Sequence, residues 1–333
     1  MDSTRFLAVL AICVPVFAMM GLGKLLAATG RLRDEHCSFI NWLVYMFSLP
    51  ALIFGGVARQ RFHSFFDPAV ILAPLAALAV ILCLTVVIAR INRYRGGFAA
   101  AFVFSTYWAN AAYIGMPLSR NAFGEEGFGK AAIYNGLVVP FFILFSYLLI
   151  GMYGVEGKSF SPGKRIRQLL LNPVMLSAIA GVASALVMEW FRREDGSLAL
   201  PGSVLTAGAL AGSFLDMIGT MGLPLALLSI GASLKWEHTR AHLGAIAWSV
   251  GCKLILLPLA TLLLILAACP EASAASTGVP VILAATPCAV ASYVVSCQLG
   301  VERGFVASLL VLSTALSVIT IPVWIYIIKG LTG

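Results

Sequence analysis

The sequence predicts an all-α polytopic membrane protein of ten transmembrane helices, arranged as two inverted repeats of five. Three observations carry this. The 333 residues are 60% hydrophobic and 11% charged, against about 45–50% apolar and about 25% charged in soluble domains. The mean hydropathy of +0.97 comes from continuous apolar runs, not from the alternation that marks a membrane β-barrel. Similar segments also recur 174 to 177 residues apart.

A helical span needs about 20 apolar residues. Ten runs qualify: 6–28, 36–57, 68–90, 98–119, 130–153, 169–191, 204–232, 243–269, 278–299 and 304–328. The first has Arg5 ahead of it, as a secretory leader would. It is long for a leader, runs into Gly21, Gly23 and Lys24, and offers no clear cleavage site, so it reads as a span that stays.

Lysine and arginine set the orientation. The loops after spans 1, 3, 5, 7 and 9 hold twelve of them: Arg31, Arg33, Arg90, Arg93, Arg95, Lys158, Lys164, Arg165, Arg167, Lys235, Arg240 and Arg303. The opposite side holds eight: Arg5, Arg59, Arg61, Arg120, Lys130, Arg192, Arg193 and Lys329. The bias places the odd loops in the cytoplasm and both termini outside a cell membrane of the bacterial inner-membrane type. The net charge of +8 then serves orientation and lipid headgroups, and no nucleic-acid partner is expected. Seven cysteines (13, 37, 83, 252, 269, 288 and 297) form no CxxC pair and lie mostly inside the runs. They read as small apolar residues rather than metal ligands or disulfides. Neither a cofactor nor a metal is expected.

The repeat is legible in two matched pairs. Ser48-Leu-Pro50 in span 2 corresponds to Gly222-Leu-Pro224 in span 7, the prolines 174 residues apart. Gly124 to Phe128 corresponds to Gly300 to Phe305, the phenylalanines 177 apart. The halves are 1–153 and 169–333, joined by a cytoplasmic linker at 154–168. Five spans being an odd number, the second half inserts upside down.

In inverted-repeat carriers the substrate lies where corresponding helices are interrupted. Span 4 carries Asn110, Tyr113, Gly115 and Pro117; span 9 carries Thr286, Pro287 and Ser292. A mid-helix proline removes a backbone hydrogen bond, and the freed groups need partners inside the protein or a wet cavity. Thr286-Pro287 has the form of an N-cap followed by proline at the first helical position, and Pro117 similarly opens the second half of span 4. Half-helix N-termini meeting at mid-membrane favour an anion, especially a carboxylate. The prolines of spans 2 and 7 read as plain kinks. Two charges lie within spans, Asp216 and Lys253. Lys253 is the candidate for attracting the anion or for coupling to protons, with Asp216 as its partner in one transport state at most. Glu189, Lys24, Lys130 and Arg90 lie near span ends and need no special role.

NAAYIGMPL at 110–118 with FGEEG at 123–127, LLNPVMLSAIAG at 170–181, LPLALLSIGASL at 223–234 and TPCAVASYVVSCQLG at 286–300 together resemble the auxin efflux carrier family over essentially the entire chain. The resemblance implies ten helices with broken helices 4 and 9 crossing centrally. It implies a scaffold of helices 1, 2, 6 and 7, a moving unit of 3–5 and 8–10, an elevator mechanism and a homodimer. The short loop at 154–168, and Thr286-Pro287 where plant members carry asparagine, point away from auxin. Bacterial-type members are associated with small organic acids such as malate or malonate. A proton or a sodium ion is the candidate coupling ion.

Two other classes compete. An intramembrane enzyme lacks support, because the sequence carries no HExxH, no GxSxG and no close pair of intramembrane carboxylates. A receptor, most concretely one with a retinal Schiff base on Lys253, is opposed by the repeat and by the two interrupted spans.

Overall fold

The computed structural model describes residues 3–59, 67–138, 141–142, 145, 153, 171, 173–191, 200–233, 242–289, 291–293, 296 and 301–332. Among these the chain is nearly all helical. Seven helices are long and apolar enough to cross a membrane. They are α1 (Ser3–Ala28, its apolar window Ala11–Ala28), α2 (Asp34–Ala58), α3 (Pro68–Ile91), α6 (Pro173–Trp190), α7 (Gly202–Ser233), α8 (Leu243–Ala268) and α10 (Arg303–Leu331). These match predicted spans 1, 2, 3, 6, 7, 8 and 10 closely.

Spans 4 and 9 differ. The first stops after twelve residues as α4 (Gly96–Tyr107), and the ninth after twelve as α9 (Ala274–Ala285). Twelve residues rise about 18 Å, which brings both stops near the middle of a hydrocarbon core about 30 Å thick. The chain resumes after α4 as α5 (Met116–Leu137). Gly124 interrupts α5 with φ 64° and ψ −149°, a conformation that only glycine adopts cheaply, so the second half of span 4 turns directly into span 5. The linker at 154–168, residues 297–299 and most of 139–152 lie outside the described residues.

Three stretches are wound as π-helix: Val44–Ser48 within α2, Ala111–Gly115 before α5, and Cys252–Leu256 within α8. Each ends two residues before a proline, namely Pro50, Pro117 and Pro258. Proline lacks the N–H owed to the carbonyl four residues earlier and crowds it. The turn widens instead to bonds spanning five residues: Leu49 N to Val44 O, Gly115 N to Asn110 O (3.2 Å) and Leu257 N to Cys252 O. The Leu254 carbonyl, released by Pro258, accepts the Trp324 indole N–H from α10 at 2.8 Å.

Two packing groups emerge. α1 runs along α7, and α2 packs on α6 and α7. Around α9 gather α5, α8, α10 and α3. Contacts of α5 with α2 and α6, and of α10 with α1, join the groups. The α1–α7 contact is backbone to backbone: a Cβ on Gly23 or Gly231 would strike the main chain of Leu228 or Met20. Small residues permit such approach in lipid, where dispersion rather than hydrophobic force holds helices together. Large apolar side chains such as Ile91, Leu210 and Met217 are exposed, as expected of a lipid-facing perimeter.

Candidate functional site

The two interrupted helices meet at their breaks. α4 ends at Tyr107, followed by Trp108 in extended conformation (φ −73°, ψ 107°); α9 ends at Ala285, followed by Thr286 (φ −65°, ψ 150°). The loosened strands pair antiparallel through Ala109 and Cys288. Asn110 N donates to Pro287 O at 2.9 Å, and Ala289 N donates to Trp108 O at 3.0 Å. Each break thus satisfies backbone groups that the other leaves free, which is what a broken helix at membrane depth requires.

Asn110 sits at the centre of this crossing. Its carbonyl accepts from Ile114 N and Gly115 N at 3.3 and 3.2 Å, starting the wide turn that leads to Pro117. Its side chain is 3% exposed, and its amide nitrogen has no hydrogen-bond partner among the described residues. Gly115 is demanded by close approach: a Cβ there would strike the Leu283 side chain and lie 3.4 Å from Thr286 Cγ2. Pro117 opens α5 as expected. Tyr113 is half-buried on the same wide turn.

Thr286 corrects the sequence reading. It closes α9 rather than opening the next segment, and its hydroxyl donates back to Leu283 O at 2.7 Å. Pro287 lies in the extended break, where its carbonyl accepts from the Asn110 backbone N–H. Ser292 is buried, donates to Ala289 O at 2.7 Å and touches Cys288 Sγ at 3.1 Å. The structure therefore unites Asn110, Gly115, Thr286 and Pro287, with Ser292 one turn away behind Cys288.

Lys253 is fully buried, and its ammonium donates to Ala284 O in the last turn of α9 at 2.7 Å. The expected partner, Asp216, is engaged elsewhere. It pairs with Arg59, just past the end of α2, and its side chain is 46% exposed. Asp216 lies beside the last turns of α2, where a Cβ on Gly55 would be 3.6 Å from its Oδ1. Cys13, Cys37, Cys252 and Cys288 are buried as expected, whereas Cys83 is exposed on α3.

Sequence reasoning missed a polar cluster. Asp67 caps α3 by accepting from Ala69 N at 3.1 Å, while its other oxygen accepts from Lys130 Nζ at 2.9 Å and from the Ser276 hydroxyl. Burial raises the Asp67 carboxyl, but the bonds from Lys130 and Ser276, the Lys130 charge and the Ala69 amide outweigh it and hold the group below 3.8. The cluster borders a cavity of about 610 Å³ that also touches Cys269, Glu271 and Ser273. Asp-Pro at a helix start was the available signal. Among the described residues, no group of three or more His, Cys, Asp or Glu side chains is placed to hold a metal ion.

A family model described as membrane transport protein matches residues 8–325. The chain belongs to this family, that of the auxin efflux carriers. Two relatives of the family match over nearly their full lengths. An "Uncharacterized transporter" of Methanothermobacter thermautotrophicus is 24% identical over 314 residues, covering 93% of this chain and 95% of that protein. A "Putative malonate transporter" of Rhizobium meliloti is 27% identical over 330 residues, covering 95% of each. This member of the membrane transport family is a membrane transporter.

Proposed function

We propose that this protein is an elevator-type secondary transporter that moves small organic anions, carboxylates above all, across the cell membrane. Asn110 carries the reading. A buried amide without a partner forfeits about 1–3 kcal/mol, and this one stands where two helices stop near mid-membrane. A carboxylate oxygen would supply the missing acceptor, and the positive end at the start of α5 favours negative charge. The name of the Rhizobium meliloti relative adds malonate to the candidates.

The equal twelve-residue lengths of α4 and α9, ending 178 residues apart, support five-plus-five inverted repeats. The packing of α1 with α7 and of α2 with α6 and α7 supports a scaffold distinct from the group around α9. The assembly is a homodimer with both termini outside, and the proton and sodium are the candidate coupling ions.

The test is uptake and binding by the purified full chain in proteoliposomes, against a panel of mono- and dicarboxylates that includes malonate, with sodium and pH varied. Asn110→Ala should lower affinity for the accepted anion tenfold or more, as loss of a bond to a charged ligand of about 1.5–3 kcal/mol requires. Folded yield should stay within about twofold, since no partner among the described residues is left behind. Wild-type affinity in the folded variant would remove Asn110 from the site.

A further inference from the structure

The carboxyl-terminal ends of α4 and α9 both point into the crossing, and each brings carbonyls that no intrahelical N–H reaches. Together these form the negative ends of two helix dipoles. α4 meets neutral donors: Ala289 N bonds Trp108 O at 3.0 Å, and the Cys288 thiol donates to Ser105 O at 3.4 Å. α9 meets a cation. Lys253 Nζ donates to Ala284 O, one residue before the helix stops, at 2.7 Å. The wide turn Cys252–Leu256 presents this side chain, and Trp324 fixes the turn by bonding Leu254 O. Among the described residues, the titratable group that interacts with Lys253 is the Cys288 thiol, which lies in the break itself. Among the described residues no carboxylate pairs with it, and Asp216 pairs with Arg59 instead.

We infer that Lys253 is the fixed cation of the crossing, standing in place of a bound metal ion: it offsets the carboxyl-terminal end of α9 and lends one positive charge to the anion held at the breaks. This rests on the reading of the breaks as an anion site. Anion movement then requires no sodium at the end of α9, and the charge carried in the anion-loaded step is one unit more positive than the substrate alone would make it, the same unit moving back in the empty return step. A lysine held as a neutral amine would share the first bond but not the second property.

One arm of the test does not depend on transport. In detergent, thermal unfolding of the wild-type chain should be indifferent to choline, sodium or n-propylammonium at equal ionic strength. Lys253→Ala removes three methylenes and the ammonium, so propylammonium matches the missing portion. The variant should melt lower by about 5 °C in choline and recover at least half of that in propylammonium. An unchanged midpoint, or a fall that no cation reverses, overturns the inference. If Lys253→Ala fails to fold, Lys253→Arg should melt near wild type and Lys253→Met well below it; equal midpoints for the two would overturn it.

The second arm reads charge. With malonate as probe and a potassium–valinomycin potential, wild-type uptake should be independent of sodium. In Lys253→Met, an inside-negative potential of about 100 mV should depress initial uptake, measured where the anion-loaded step limits, several-fold more steeply than in wild type, because that step has lost one elementary positive charge, worth about 2.3 kcal/mol per 100 mV. Identical voltage dependence would show a structural lysine and overturn the inference. If wild type takes up no malonate, that choice of substrate fails while the unfolding arm still decides the role of the cation.

Discussion

At the scale of single residues, Asp67 does more than its place at a helix start suggested. One oxygen caps α3 while the other holds Lys130 of α5 and Ser276 of α9. Its carboxyl is held below 3.8 by those bonds. A depressed folded value contributes stability that is present above the unfolded value and lost as pH falls through the folded one. Asp67→Asn should therefore destabilise the protein by about 2–3 kcal/mol at pH 7, less than a fully buried pair because both side chains keep some water. The gap from wild type should narrow as pH falls below 3.8. Thermal unfolding at pH 7 and near the acid limit of the fold measures both, and a pH-independent gap would contradict the ionic account. The importance of Lys130 was not legible from sequence, because its partners lie 63 and, through Asp67, as many as 209 residues apart. Asn110 was legible, since an amide at membrane depth stands out in any apolar run.

Elements were legible to the extent that proline and hydropathy report on them. Long apolar runs gave α3, α7, α8 and α10 nearly to the residue, and the interruptions of spans 4 and 9 were visible as polar residues beside proline. Which prolines widen a helix was not. Pro50, Pro117 and Pro258 follow π turns, whereas Pro74 and Pro224 sit inside ordinary helix. For Pro258 the released carbonyl of Leu254 is received by Trp324, 70 residues away. Glycine in α1 and α7 likewise hides its meaning. Gly23 and Gly231 face backbone of the opposing helix, while Gly21 has open space. Gly231→Ala should cost about 1–3 kcal/mol by overpacking, and Gly21→Ala should be neutral or slightly stabilising through helix propensity. Unfolding midpoints of the two variants would test the α1–α7 seam directly, and equal midpoints would mean the helices can separate without cost.

For the whole molecule, the structure sorts the loops into two faces without reference to charge. On one face, Asp67 before α3, Lys130 on α5 and Ser276 on α9 meet, which gathers the connections after spans 2, 4 and 8. On the other, Phe98 at the start of α4 packs against Tyr94, His242 and Phe305, gathering the connections after spans 3, 7 and 9. This is the odd-and-even partition that the sequence implied. The face around Phe98 belongs to the loops with twelve basic residues, the Asp67 face to those with eight. Since lysine and arginine are retained in the cytoplasm, the Phe98 face should be internal. In a chain otherwise free of cysteine, Asn92→Cys should be labelled by a membrane-impermeant maleimide only from inside, and Glu271→Cys only from outside. Positions 162 and 197, which lie outside the described residues, should follow as inside and outside respectively. Asn92 and Glu271 labelled from the same side would contradict the fold itself. Opposite labelling with the sides exchanged would leave the fold intact and show that a bias of twelve to eight is too small to fix the orientation of this chain.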